Sequence, residues 1–177
     1  MTVKVPITPE MWTEAMRIGS ARYKSKVNPW QNIRVSDDDD VFVNALGVIG
    51  EMATGLELGL CVDRRVLAHG DDGSDLQLLN GLLSLQVKTT KYFGDRRPYY
   101  LPLLESDRNG LKADVYVHAI AHMDNPLNRW IDLVGYTTKF CFCFYGERVR
   151  LRAVRWGIAD GLLRPFDELR GLVMAAK

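Results

Sequence analysis

Asn80-Gly81 divides two apolar-rich runs, residues 75–79 and 82–90, and fixes more of this chain than any other dipeptide in it. Asn-Gly is the preferred pair for a two-residue type I′ turn, because both central residues need positive φ. A turn that tight sets the pairing. Leu79 faces Leu82, Leu78 faces Leu83, Gln77 faces Ser84, Leu76 faces Leu85 and Asp75 faces Gln86. Side chains alternate along a strand, so Asp75, Gln77, Ser84, Gln86 and Lys88 share one face. Leu76, Leu78, Leu83, Leu85 and Val87 share the other. Opposed Cβ atoms lie roughly 4.5–5.5 Å apart, which gathers a carboxylate, an amide oxygen and a lysine at the open end of the hairpin. Such a set suits a hard divalent cation and a phosphate: Asp75 for Mg²⁺, Gln86 as a neutral oxygen, Lys88 for the substrate's charge. The plainer account is a half-buried hairpin with a wet polar face.

A chain of 177 residues with 47% hydrophobic and 25% charged residues fits one globular domain with a real core. No run of about 18 apolar residues predicts a membrane span, and the N-terminal MTVKVPITPEMW lacks a signal-peptide core. The expectation is a cytoplasmic protein with no membrane partner. Three cysteines argue against a disulfide framework. Cys141 and Cys143 lack the further ligands that zinc needs. His118 and His122 lie in ADVYVHAIAH, which reads as a strand, and are expected to be core or surface residues. The net charge of +1 is uninformative, but acids gather at 37–40 and 71–75. Basic residues gather at Lys88, Lys91, Arg96 and Arg97, and again at Arg148, Arg150, Arg152 and Arg155. Basic stretches beside an acidic cluster suit a protein that holds phosphates around a metal; solvated surface is the ordinary meaning.

Thr8-Pro9-Glu10 predicts a helix start, with Thr8 as N-cap and a helix of about four turns to follow. Residues 25–36 read as an extended connection. Asp37–Asp40 read as the N-terminal cap of a helix over 39–60 rather than as a metal site. Inside that helix Glu51 stands among Gly47, Gly50, Thr54 and Gly55. Each glycine costs about 0.8–1 kcal/mol against alanine, a cost that makes sense if the helix lies close on a sheet with Glu51 reaching in. A surface glutamate explains it equally well. Residues 62–68 read as a strand, and Asp71 or Asp72 could be a secondary ligand. Residues 92–112, broken by Pro98 and Pro102, predict an irregular segment with a short helix near 103–107. Its interleaved Arg96, Arg97 and aromatics could grip a nucleic-acid backbone. Strands are predicted over 113–121 and 130–138, strand or helix over 140–145, a basic-faced strand through Arg148, Arg150 and Arg152, and a closing helix over 165–173.

Glu51 on a helix, Asp75 on a strand and Gln86-Val87-Lys88 on the next strand resemble the core of the PD-(D/E)XK nuclease superfamily. The Asp…Gln-x-Lys variant is similar to Holliday-junction resolvases and Mrr-like nucleases. The resemblance covers about 41–138, the N-terminal helix and residues 140–177 being additions to a single domain. It implies an α/β, restriction-endonuclease-like fold, a mixed central sheet flanked by helices. It further implies a metal-dependent nuclease, acting on DNA in preference to RNA, with a homodimer compatible with it. Asp75, Gln86 and the Val87 carbonyl would hold Mg²⁺ or Mn²⁺, with Glu51 as direct or water-mediated ligand. Lys88 would stabilise charge on phosphorus, and Thr89, Thr90 and Lys91 would contact neighbouring phosphates. The chain departs from the pattern in Ser74 for the family's Pro, in Gln86 for Glu, and in having only residues 92–112 for the helix after the Gln-x-Lys strand. The alternative is a non-catalytic nucleic-acid- or protein-binding module of the same fold.

Overall fold

A computed structural model of the chain describes residues 2–25, 40–62, 74–92, 100–104, 111–150 and 154–176. Strand β1 (Val3–Pro6) leads into α1 (Pro9–Ser25), whose first turn is capped by Thr8: its Oγ1 accepts from Met11 N at 3.2 Å. Helix α2 spans Asp40–Leu58. The Asn-Gly hairpin follows as β2 (Leu76–Leu78) and β3 (Leu83–Lys91). Next come β4 (Tyr100–Leu104), β5 (Val115–His122) and β6 (Trp130–Thr138). The chain closes with α3 (Lys139–Tyr145), β7 (Glu147–Arg150), β8 (Val154–Ala159), β9 (Arg164–Pro165) and α4 (Phe166–Ala175).

The main sheet runs β1-β6-β5-β3-β2, with β9 also paired to β6. It is mixed: β2 is antiparallel to β3, β3 parallel to β5, and β5 antiparallel to β6. Its odd-numbered β3 face, Leu85 and Val87, packs with Val115, Val117 and Ala119 of β5 against Ala45, Val48, Ile49 and Ala53 of α2. Phe166, Leu169 and Val173 bring α4 into the same core. Helix α2 is apolar nearly all round because the sheet covers one side and α1 the other. Gly50 makes the close approach possible. A Cβ there would lie 2.0 Å from Thr89 Oγ1.

Among the described residues, the opposite face of the sheet meets no helix of comparable length. A second sheet, β4-β8-β7, covers part of it through Leu101, Leu103 and Ile158, which cluster with Phe142 of α3 and Tyr116 of β5. The connection between the parallel strands β3 and β5 therefore carries a strand, β4, where a helix was expected. Leu103 and Leu104 belong to that strand, and the rest of the helix expected near 103–107 lies outside the described residues. Pro102 is tolerated because β4 is an edge strand, bonded among the described residues to β8 alone. The chain is thus a mixed α/β protein with α1, α2 and α4 in the core on one face and the small sheet with α3 in the core on the other. The expected strand at 62–68 and the aspartate cap at 37–39 lie outside the described residues, apart from Val62.

Candidate active site

The hairpin forms in the expected register, Leu76↔Leu85, Gln77↔Ser84 and Leu78↔Leu83. Asn80 sits at φ 57°, ψ 34° and Gly81 at φ 89°, and Leu82 N reaches Leu79 O at 3.3 Å. Those are type I′ values. The regular ladder stops one step short of Asp75. Its N–H donates to Leu85 O at 2.9 Å, and its Oδ2 accepts from Val87 N at 2.6 Å. Asp75 thus bonds to the residues on either side of Gln86, with its carboxylate turned along the sheet edge. It is 6% exposed. A residue's N–H and C=O point to the same side of a strand, so the Val87 carbonyl faces this edge too. Carboxylate, carbonyl and amide oxygens together are the hard donors that Mg²⁺ or Mn²⁺ prefers.

Glu51 is held by another partner. It is buried, and Arg22 of α1 grips both its oxygens, Nη1 to Oε1 at 2.8 Å and Nη2 to Oε2 at 3.0 Å. Its neighbour Gly50 faces β3, which turns Glu51 toward α1. No group of three or more His, Cys, Asp or Glu suited to a metal occurs among the described residues. Among the described residues the donor set has one carboxylate, Asp75; Asp71 and Asp72, the candidate secondary ligands, lie outside them.

Alternation sorts the remaining candidates. Gln86, Lys88 and Thr90 lie on the face away from α2, all half-buried. Thr89 turns the other way: its Oγ1 is buried beneath Gly50 without a hydrogen-bond partner. Lys91 follows it, with Nζ 5.2 Å from the centre of the Phe42 ring. Arg96 and Arg97 lie outside the described residues.

Two histidines, expected to be plain core or surface residues, occupy the Lys88 face. Lys88 pairs in register with His118 across the parallel strands. His118 is fully buried, its Nδ1 2.8 Å from Asp160 Oδ1 and its Nε2 3.1 Å from Thr90 Oγ1. His122 bonds through Nε2 to Asp132 Oδ2 at 2.8 Å. Its ring is stacked between Tyr92 and Trp130 at 4.4 and 4.3 Å, and Lys4 Nζ stands 3.8 Å over Trp130. The period-two spacing from His118 to His122 places both on one strand face; their acidic partners, 42 and 10 residues away, carry no local signal. No family model, curated protein or solved structure matches this chain. Function must therefore be argued from the geometry.

Proposed function

We propose that the chain is a divalent-metal-dependent phosphodiesterase acting on nucleic acid, DNA in preference to RNA, built on a restriction-endonuclease-like core. The order α2, β2, β3 with Asp75 and Gln86-Val87-Lys88 at the hairpin's open end supports that core. One observation carries the reading: Asp75, buried at the sheet edge, is bonded to the main chain on both sides of Gln86, one residue from Lys88. Asp75, the Gln86 side chain and the Val87 carbonyl would hold Mg²⁺ or Mn²⁺. When bound, such an ion polarises a phosphate oxygen and lowers the cost of forming hydroxide. The Val87 N–H holds the Asp75 carboxylate in place. Lys88 places a positive charge where negative charge grows on phosphorus. Thr90, two residues on, meets a neighbouring phosphate.

Asp75→Ala and Lys88→Ala should each reduce Mn²⁺-dependent cleavage of DNA at least about a hundred-fold, with unchanged circular dichroism. Cleavage at the wild-type rate by both variants would sink the assignment. A second reading has support in the Arg22–Glu51 pair, which leaves the site short of acid: a binding module of the same fold that holds nucleic acid without turnover. Calorimetric titration of the wild type with Mn²⁺ decides between them, since a protein with no affinity for the ion cannot run this reaction.

A further inference from the structure

Helix α3 wears its aromatic residues on the outside. Thr138 caps it, and its one buried side chain, Phe142, anchors it on Tyr116 of β5 with ring centroids 5.8 Å apart. Phe140, Phe144 and Tyr145 are instead 75%, 73% and 56% exposed. Phe and Tyr are middling helix formers, so neither helix propensity nor the core calls for rings at these positions. Singly exposed apolar residues need no explanation, but these three touch. Phe140 and Phe144, four residues apart on one helix face, have centroids 6.2 Å apart and planes 21° from parallel. Tyr145 meets Phe144 at 5.3 Å, edge to face. The helix contains no aliphatic residue. What it presents to solvent is a set of π-faces.

Charge and position select the occupant. From Lys139 to Arg155 the chain carries five basic residues (Lys139, Arg148, Arg150, Arg152 and Arg155) against one acid, Glu147, although its net charge is only +1. Lys139 and Arg148 stand exposed on either side of the helix in sequence. A second copy of the chain would set this basic stretch against itself, since a two-fold interface uses the same surface on both subunits. A polyanion with flat groups meets both the charge and the rings. Tyr116, on which α3 is seated, pairs in register with Gln86, so the helix is anchored on the sheet face that carries Gln86 and Lys88. We propose that Phe140 and Phe144 are a stacking platform for unpaired bases of a DNA strand whose backbone continues to Lys88. The inference rests on the phosphodiester reading above for the nature of the polyanion, and adds that the substrate arrives single-stranded or with a splayed end. In a duplex the base faces are taken up by their neighbours and are closed to the rings.

The test is binding of fluorescein-labelled oligo-dT, read by anisotropy in EDTA so that neither metal nor cleavage enters, beside a duplex of equal length. The wild type should bind the single strand more tightly than the duplex. Phe144→Ala should weaken the single strand at least about five-fold and the duplex less than about two-fold. Phe144→Leu, which keeps an apolar side chain and removes the π-face, should lose nearly as much as F144A, while Phe144→Trp should retain binding. Lys139→Ala should lower the slope of log affinity against log salt by about 0.7. Circular dichroism should stay that of the wild type throughout, because these side chains are exposed. Wild-type affinity of F144A and Phe140→Ala for the strand, with Mn²⁺-dependent cleavage intact, would overturn the platform and leave the phosphodiester reading standing. Binding that needs the rings, in a protein that cuts nothing in Mn²⁺, would keep the platform and replace the nuclease by the binding module. Ring-dependent binding to vesicles of anionic phospholipid, or a ring-dependent dimer in sedimentation, found in place of strand binding, would overturn the proposal in favour of a membrane or a second copy.

Discussion

Ser84 and Asp114 meet where the parallel strands begin. Ser84 donates both its N–H and its hydroxyl to Asp114 Oδ2, each at 2.8 Å, and Asp114 N–H returns a bond to Ser84 O at 3.0 Å. The backbone N–H of Ser84 first, then its hydroxyl, and more weakly the nearby Lys139 charge hold the Asp114 carboxyl below the usual aspartate range, with slight burial opposing them. A lowered folded-state pKa means stability that is present above the unfolded value, about 3.9, and lost as the pH falls through the folded one. Asp114 is exposed, so solvent screening keeps the effect near about 0.5 kcal/mol. Asp114→Asn should therefore lower the urea midpoint slightly at about pH 7, and the gap to wild type should close below about pH 4. A gap that persists unchanged in acid would mean that shape, not charge, matters there. At this scale the sequence is least legible. Nothing local couples Ser84 to Asp114, Arg22 to Glu51 or His118 to Asp160, because each partner is set by strand order and layer packing rather than by spacing.

Elements are read more easily, and the reasons differ from one to the next. The hairpin register follows from the turn at Asn80-Gly81, where Leu79, Asn80 and Gly81 all take positive φ. Strand β6 was legible end to end in its alternating Val, Ile, Tyr and Trp content. Residues 140–145 are apolar without a clear period, and what decides for α3 is Thr138, whose Oγ1 accepts from Cys141 N at 3.3 Å and caps the helix. Helix α2 was expected from the aspartates at its start, and its glycines from a close approach to a sheet. The approach is real and sits at Gly50. An alanine there would gain about 1 kcal/mol in helix propensity, yet its Cβ would stand 2.0 Å from Thr89 Oγ1, and overpacking costs about 1–3 kcal/mol. Packing wins. Gly50→Ala should destabilise the protein by about 1–2 kcal/mol in chemical denaturation. Thr89→Ala removes both the obstructing atom and a buried unpartnered hydroxyl. Adding it to G50A should recover most of the loss, and a double-mutant cycle without coupling would show that α2 is not seated on Thr89.

Across the whole molecule the layers run α1, α2, main sheet and small sheet, and charge pairs join them where the apolar cores end. Arg170 of α4 reaches Glu57 of α2 at 3.0 Å, and Asp160 reaches His118 from the small sheet. Arg22 and Glu51 tie α1 to α2, with side chains 22% and 6% exposed. Sequence alone put Glu51 in a metal site because its helix and its place before the Asp75 strand fit a known pattern; α1, as an addition to that pattern, offered no reason to look for Arg22. The two roles predict different things of one substitution. Removing one partner of a buried pair costs about 3–5 kcal/mol, and the partial exposure of Arg22 brings this nearer about 2–3. Glu51→Gln should therefore lower stability by about that much while Mn²⁺ affinity, measured by calorimetry on the folded protein, stays within about two-fold of wild type. Replacing the pair together, Arg22→Met with Glu51→Leu, should restore most of the stability, since a packed apolar pair escapes the desolvation cost that two charges bear. A metal ligand would behave in the reverse way: E51Q would fold as well as wild type and lose the ion, and Arg22→Ala, by releasing the carboxylate, would bind it more tightly.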